Sequence, residues 1–378
     1  MKRLFAGLML VLSLLLASPR ARAATIHACG EARSAPETLA GRITVICGLN
    51  LPEDFDVTPD GRHILVGDLG MQITSTGIAP SNKPAEISVI DTATDRVGKL
   101  VRIWDGGPNW GDGKCHARDP KGPFYVLGMN VSSRAPGVVQ LVIVNNVQGD
   151  HIEFFQLIET GGRLTAAWRG CVDAPPDGGL DAVAPLPGGG VVASILCGKE
   201  FAVLDACIAA AKRGHTTGWL FAWTPREGAR RLPNSEAALN NGLEVSRDGE
   251  EIYAVATGSK QLKVYSLRQE RFVQSFDLPF APDNAKMGPD GSVIVGGVTS
   301  AKLCLGKPGC TNGAWVMAVD PRAGRKKLLF QADDGLLAGT TGGLMVRGNL
   351  YVSSLTDPFI LKIQPPSRSS GAPAFGAR

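Results

Sequence analysis

The chain has 378 residues and carries 39 Lys and Arg against 35 Asp and Glu, a net charge of only +4. Its basic residues are scattered, which excludes the clustered patch of a nucleic-acid footprint, and 6% aromatic residues leave too few rings for single-strand stacking. The 47 Gly and 25 Pro mark a chain with many turns, as a succession of short strands requires.

The N-terminus is the first element. Lys2 and Arg3 precede an apolar run from Leu4 to Ala17, and a small-residue stretch ends in Ala21-Arg22-Ala23. This describes a cleavable secretory signal over 1–23. The alternative, an uncleaved anchor, is opposed by Pro19, Arg20 and Arg22 directly after the run. No cysteine follows the cut to carry a lipid, and no later stretch is long and apolar enough to cross a bilayer. The expected location is periplasmic or secreted, with no stable membrane insertion after cleavage.

All eight cysteines, Cys29, Cys47, Cys115, Cys171, Cys197, Cys207, Cys304 and Cys310, fall after the cut. An even count in an exported chain favours disulfides, and the absence of C-x-x-C or zinc spacing opposes thiolate metal sites. Connectivity is not legible from sequence; pairing between neighbours is the expectation. Lys307-Pro308-Gly309 can turn the chain between Cys304 and Cys310.

From residue 24 to 365 one pattern recurs: a turn followed by a β-branched or aromatic strand. Thr58-Pro59-Asp60-Gly61 precedes Ile64–Val66, Asp119-Pro120-Lys121-Gly122 precedes Phe124–Val126, and Pro187-Gly188-Gly189-Gly190 precedes Val191–Ala193. Ser246-Arg247-Asp248-Gly249 leads to Ile252–Val255, Gly288-Pro289-Asp290-Gly291 to Val293–Val295, and Val346-Arg347-Gly348-Asn349 to Leu350–Val352. Such turns supply the positive φ of tight hairpins. Six copies at blade-like spacing predict an all-β, six-bladed β-propeller of four-stranded antiparallel blades. Val138–Val144, Trp219–Thr224, Leu262–Leu267 and Trp315–Val319 are further strands, and Val203–Lys212 is a helical insertion within a blade. Residues 366–378, rich in Ser, Gly, Ala and Pro, are expected to be disordered. A pair of β-sandwiches is the alternative. Seven blades is another, because Glu86-Ile87-Ser88-Val89-Ile90-Asp91-Thr92-Ala93-Thr94 resembles a repeat of bacterial surface-layer propellers.

Just upstream of the hairpins stand Glu53 and Asp54, Asp181, Asn241, and Asp283 with Asn284. Radial repetition brings them towards one end of the axis, where converging carboxylate and amide oxygens suit a hard cation such as Ca²⁺.

Asn241-Gly242-Leu243-Glu244-Val245-Ser246-Arg247-Asp248-Gly249, followed by Pro282-Asp283-Asn284 and Pro289-Asp290-Gly291, resembles consecutive blades of the paraoxonase, gluconolactonase and SMP-30 group of calcium-dependent lactonases. Weaker similarity runs from Gly48 to Ile363. The resemblance implies that Glu53, Asn241, Asp283 and Asn284 hold a catalytic Ca²⁺, and that Asp54 and Asp181 match acidic residues holding a second, structural Ca²⁺. His116, in Cys115-His116-Ala117, matches an active-site histidine of the paraoxonase branch. The chain departs from the group at Leu180-Asp181, where an Asn-Asp pair is expected. It departs again at Asn146, where a second histidine stands; Asn146 cannot act as a base, so a His–His relay is not supported.

These readings predict a calcium-dependent hydrolase of lactones or aryl esters, acting on a small-molecule substrate, with His116 or Asp283 as catalytic base. His151 is a sequence neighbour that could replace Asn146, whereas His27, His63 and His215 fit no constellation. A non-catalytic secreted propeller with structural calcium is the alternative. A quinone-dependent dehydrogenase is a third reading, but nothing marks a basic and aromatic cofactor cleft. No G-x-S-x-G elbow is present, and Gly188-Gly189-Gly190 lacks the Lys and helix start of a phosphate loop.

Overall fold

The computed structural model describes residues 23–74, 77–80, 85–115, 125–147, 149–201, 203–299, 313–332, 335–354 and 356–366. They form six antiparallel blades around a central channel, so the sandwich and seven-blade alternatives fall away. The inner strands are Pro52–Val57, Val126–Ala135, Gly178–Pro185, Asn240–Val245, Ala281–Met287 and Gly343–Val346. The segment that suggested a seventh blade holds Ile87–Asp91, the third strand of the first blade.

Blades pack on both faces, and this explains the strand sequences. Ile64, Leu65 and Val66 are consecutive, and all three are buried; a strand covered on both sides reads as a continuous apolar run, not an alternation. Outermost strands meet solvent, and Arg271–Asp277 is correspondingly polar and largely exposed. The tight turns carry the positive φ expected of them, as at Gly61, Gly249 and Gly291.

The second blade corrects one expectation. Asp119–Gly122 lies outside the described residues, and the turn equivalent to the others joins Val126–Ala135 to Val138–Asn145 at Pro136-Gly137. Longer strands displaced this hairpin from the regular spacing. The blade also carries a fifth strand, Val101–Ile103, parallel to Arg163–Asp173.

Closure of the ring was not legible in the repeats. The sixth blade takes its outer strand, Ile43–Cys47, from the start of the chain, paired to Phe359–Ile363. A hairpin, Ala23–Ala28 with Glu31–Pro36, packs Ala28 and Ala35 against Phe330, Leu336 and Leu337. Cys29–Cys47 ties this hairpin to the closing strand.

Cys115–Cys171 and Cys197–Cys207 complete three neighbour pairs; Cys304 and Cys310 lie outside the described residues. The helix Leu204–Lys212 is inserted between the second and third strands of the third blade, anchored through Cys207. Cys115–Cys171 spans 56 residues, and losing a cross-link of that length costs about 4 kcal/mol by chain entropy. The Cys115→Ser, Cys171→Ser double variant should therefore lose more stability in denaturant than the Cys197→Ser, Cys207→Ser variant, whose loop spans 10 residues.

Candidate metal centre

Five inner strands share one irregularity. Pairing skips two residues against one at Glu53-Asp54, Leu127-Gly128, Asp181-Ala182, Asn241-Gly242 and Asp283-Asn284. A bulge of this kind re-aims a side chain out of the ordinary sheet alternation. Its first position holds Glu53, Asp181, Asn241 and Asp283 in blades one, three, four and five. The second position packs tightly: a Cβ at Gly242 would come within 2.5 Å of Asn284 Cα and Asp283 O. The register therefore moves Asp181 from the set of Asp54 into that of Glu53, and a carboxylate stands where the resemblance expects an amide.

Glu53, Asp54 and Asp181 are buried. Burial holds the Glu53 carboxyl well above the usual carboxylate range, and Asp283, Asp54 and Asp181 add repulsion while an Asn284 hydrogen bond opposes them. Burial likewise raises Asp181, helped by Asp283, Asp54 and Asp150. Asp283 is pushed by burial up to about 7, despite a hydrogen bond from Asn241 and with Asp54 adding repulsion. These groups form one electrostatic unit of like charge.

Among the described residues no three His, Cys, Asp or Glu side chains already stand close enough to grip one ion. The test of fit comes from orphaned atoms. Glu53 Oε2 and Asn241 Oδ1 are buried without a hydrogen-bond partner, and both are acceptors. Unpaired acceptors beside mutually repelling carboxylates lack positive charge, and an all-oxygen set suits a hard cation such as Ca²⁺. Glu53, Asp181, Asn241 and Asp283 fit that ion, and Asn284 keeps its Oδ1 as a further acceptor.

Asn284 has a second part besides the one the resemblance implies. Its Nδ2 donates to Glu53 Oε1 at 3.0 Å and to the Glu53 carbonyl at 3.3 Å, while Thr341 Oγ1 donates to the same carbonyl at 2.6 Å. Asn284 thus braces Glu53. Asp54 accepts from the Phe55 and Met129 amides and pairs with Lys286 Nζ at 2.9 Å. An ammonium already fills the cationic position beside Asp54, so these residues do not fit a second ion.

His116 lies outside the described residues; its neighbour Cys115 is held to Cys171. His151 is fully buried, with Nδ1 at 2.8 Å from the Gly149 carbonyl and Nε2 at 2.9 Å from Glu153 Oε1. Both ring nitrogens are occupied, so His151 does not substitute for a base at Asn146. Asn146 itself donates to the Leu180 carbonyl at 3.4 Å, beside the Asp181 bulge.

The sequence reading missed a second ring. Three residues beyond the first bulge position stand Asp56, Asn130, Glu244 and Lys286, all buried. Burial pushes Asp56 up to about 6, with Lys286 opposing, and Glu244 up to about 7, with Asp56 adding repulsion. Burial works against the Lys286 charge, but Asp54, Asp56 and Glu244 outweigh it and raise its pKa. The readable signal was Asp56, Glu244 and Lys286, charged residues three places after the bulge in three of the inner strands.

A pH dependence follows. Carboxyls with raised folded pKa retain protons that the unfolded chain releases, so the folded state binds more protons between about pH 4 and 7 and its stability falls as pH rises. In EDTA, the melting temperature is expected to drop from pH 5 to pH 8. Calcium added at pH 8 should recover much of the loss. A flat profile would contradict the clustered charge.

No family model matches the chain, and no curated protein matches it. Among solved structures it is similar to a luciferin-regenerating enzyme, at 12% identity over 86% of this chain and 96% of that one, with a TM-score of 0.52. It is also similar to a protein described as a candidate gluconolactonase, at 12% identity over 85% of this chain and 91% of that one, TM-score 0.51. Likeness at this identity shows that the chain shares their propeller fold.

Proposed function

We propose that the protein is an exported, calcium-dependent hydrolase of lactones or aryl esters. The observation that carries the reading is the pair of orphaned acceptors, Glu53 Oε2 and Asn241 Oδ1, set among the carboxylates of Asp181 and Asp283. Ca²⁺ held there supplies Lewis-acid polarisation of a substrate carbonyl and offsets developing oxyanion charge. Asp283 is the base proposed to take the proton of an attacking water, with Ca²⁺ beside it keeping its carboxylate ionised. Asn241 orients that carboxylate, and Asn284 with Thr341 holds Glu53 in place. His116 is the alternative base, distinguished by comparing His116→Ala with Asp283→Asn. Export is supported by the signal-like N-terminus and by three disulfides, which persist in oxidising compartments.

The test is hydrolysis of δ-valerolactone, γ-lactones and phenyl acetate by the mature protein, with calcium and then with EDTA. Activity lost on chelation and restored by calcium is expected. Calcium binding without turnover of any member would replace this reading with that of a ligand-binding propeller, which the lack of ready-made convergence among the carboxylates favours.

A further inference from the structure

The inner strands end at the other face of the ring, and there the channel opens into a second cavity of about 410 Å³. Asp56, Asn130 and Glu244 form its floor, Met287 and Leu186 line its wall, and Arg134 stands at its rim. Along the first inner strand Asp54, paired with Lys286, stands between Glu53 of the metal centre and Asp56 of this cavity.

The floor carries two buried carboxylates that share a single ammonium, Lys286, with Asp54; Asp56 also accepts from the Val57 and Val131 amides and Glu244 from the Val245 amide. Among the described residues no cation lies within ion-pair distance of Asp56 or Glu244; the nearby Lys286 is hydrogen-bonded to Asp54 and the Met129 carbonyl. Three buried carboxyls against one ammonium leave negative charge under-compensated, which is costly, and the cavity gives access to a further cation. The rim has the opposite deficit. Arg134 has no carboxylate partner among the described residues, yet it is held in place: Nη1 donates to Gln140 Oε1 at 2.9 Å, and its guanidinium lies 4.5 Å from the Trp110 ring centroid. Gly189 packs beneath it, where a Cβ would come within 2.6 Å of Nη2.

We infer that this second mouth binds a small zwitterion of the amino-acid class, with its ammonium group against Asp56 and Glu244 and its carboxylate against Arg134. The volume suits a ligand of that size. A metal ion fits less well, because Asn130 turns its Nδ2 donor towards both Glu244 oxygens, at 3.3 and 3.2 Å, and so spoils an all-acceptor shell. A diamine is opposed by the Arg134 charge.

The experiment is calorimetric titration of the mature protein in EDTA, which keeps it independent of the metal centre and of hydrolysis. The probes are glycine, 4-aminobutyrate and glutamine, with butylamine and butyrate as single-charge controls. At least one zwitterion is expected to bind with Kd below about 1 mM. Glu244→Gln should weaken it about thirtyfold or more. Arg134→Gln should weaken the zwitterion but leave butylamine unchanged, and Asn241→Ala should leave both unchanged. Failure of every zwitterion to bind would overturn the inference. So would equal binding by folded Glu244→Gln, or calcium binding that this substitution removes. Should Glu244→Gln not fold, the comparison of zwitterion with butylamine in Arg134→Gln still decides.

Discussion

Lys286→Met is expected to lower the stability of the protein by roughly 3–5 kcal/mol, the cost of leaving a buried charge without its partner. Lys286 is 4% exposed and Asp54 is 2% exposed, so water cannot replace the ammonium. Asp54, Asp56 and Glu244 would then share the channel as three carboxyls with no cation. Methionine keeps most of the lysine volume, which confines the effect to charge and hydrogen bonding. Denaturant unfolding at pH 7 measures it directly. Two controls sharpen the result. Adding Asp54→Asn should return part of the loss, because removing both members of a buried pair costs less than removing one. Lowering the pH to 5 should also narrow the gap, because raised carboxyls take up protons and neutralise themselves. An unchanged denaturation midpoint in Lys286→Met would show that the pair does not brace the channel.

Asn241→Ala and Glu53→Gln are expected to produce the largest losses of function, on the order of a hundredfold or more in calcium affinity and in calcium-dependent turnover. Asn241→Ala removes one orphaned acceptor and the hydrogen bond to Asp283, and Glu53→Gln replaces a carboxylate oxygen beside the other by an NH₂ donor and removes its charge. Stability in EDTA should change little or rise slightly, because Glu53→Gln deletes a charge that its neighbours repel. Calcium titration followed by calorimetry reads affinity, and the lactone and ester assay reads turnover. Calcium affinity unchanged in both variants would remove the metal centre from this mouth of the channel. Affinity lost without any turnover in the parent protein would leave a binding site and no hydrolase.

Several features were legible because local chemistry dictates them. Asp60-Gly61, Asp248-Gly249 and Asp290-Gly291 stand at tight turns with Gly at positive φ, and a residue without a Cβ adopts that backbone at little cost. The apolar runs after them are strands covered on both faces. Trp219–Thr224 was placed correctly at both ends, and Leu204–Lys212 differs by one residue from its expected start. The expected pairing of neighbouring cysteines is met at three pairs among the described residues.

Other features depended on partners far away in sequence. Ile43–Cys47 joins the sixth blade only because ring closure brings it beside Phe359–Ile363, and no local pattern encodes that meeting. The hairpin between the first two strands of the second blade turns at Pro136-Gly137, beyond the Asp119–Gly122 motif, because the strands there are longer. Asp181 looked like the counterpart of Asp54 until the bulge register put it with Glu53. The Asn284 amide also braces Glu53 through its Nδ2, a contact no local pattern encodes.

The sequence by itself determined the all-β repeat, most of the turn positions and the polar residues ahead of four of the hairpins, because these rest on backbone sterics and on apolar patterning within a few residues. Tertiary structure alone decided which of those polar groups share a ring, which are struts, and that Lys286 faces Asp54 across the channel. A charge in the interior is defined by its counter-charge, and that partner arrives from another blade.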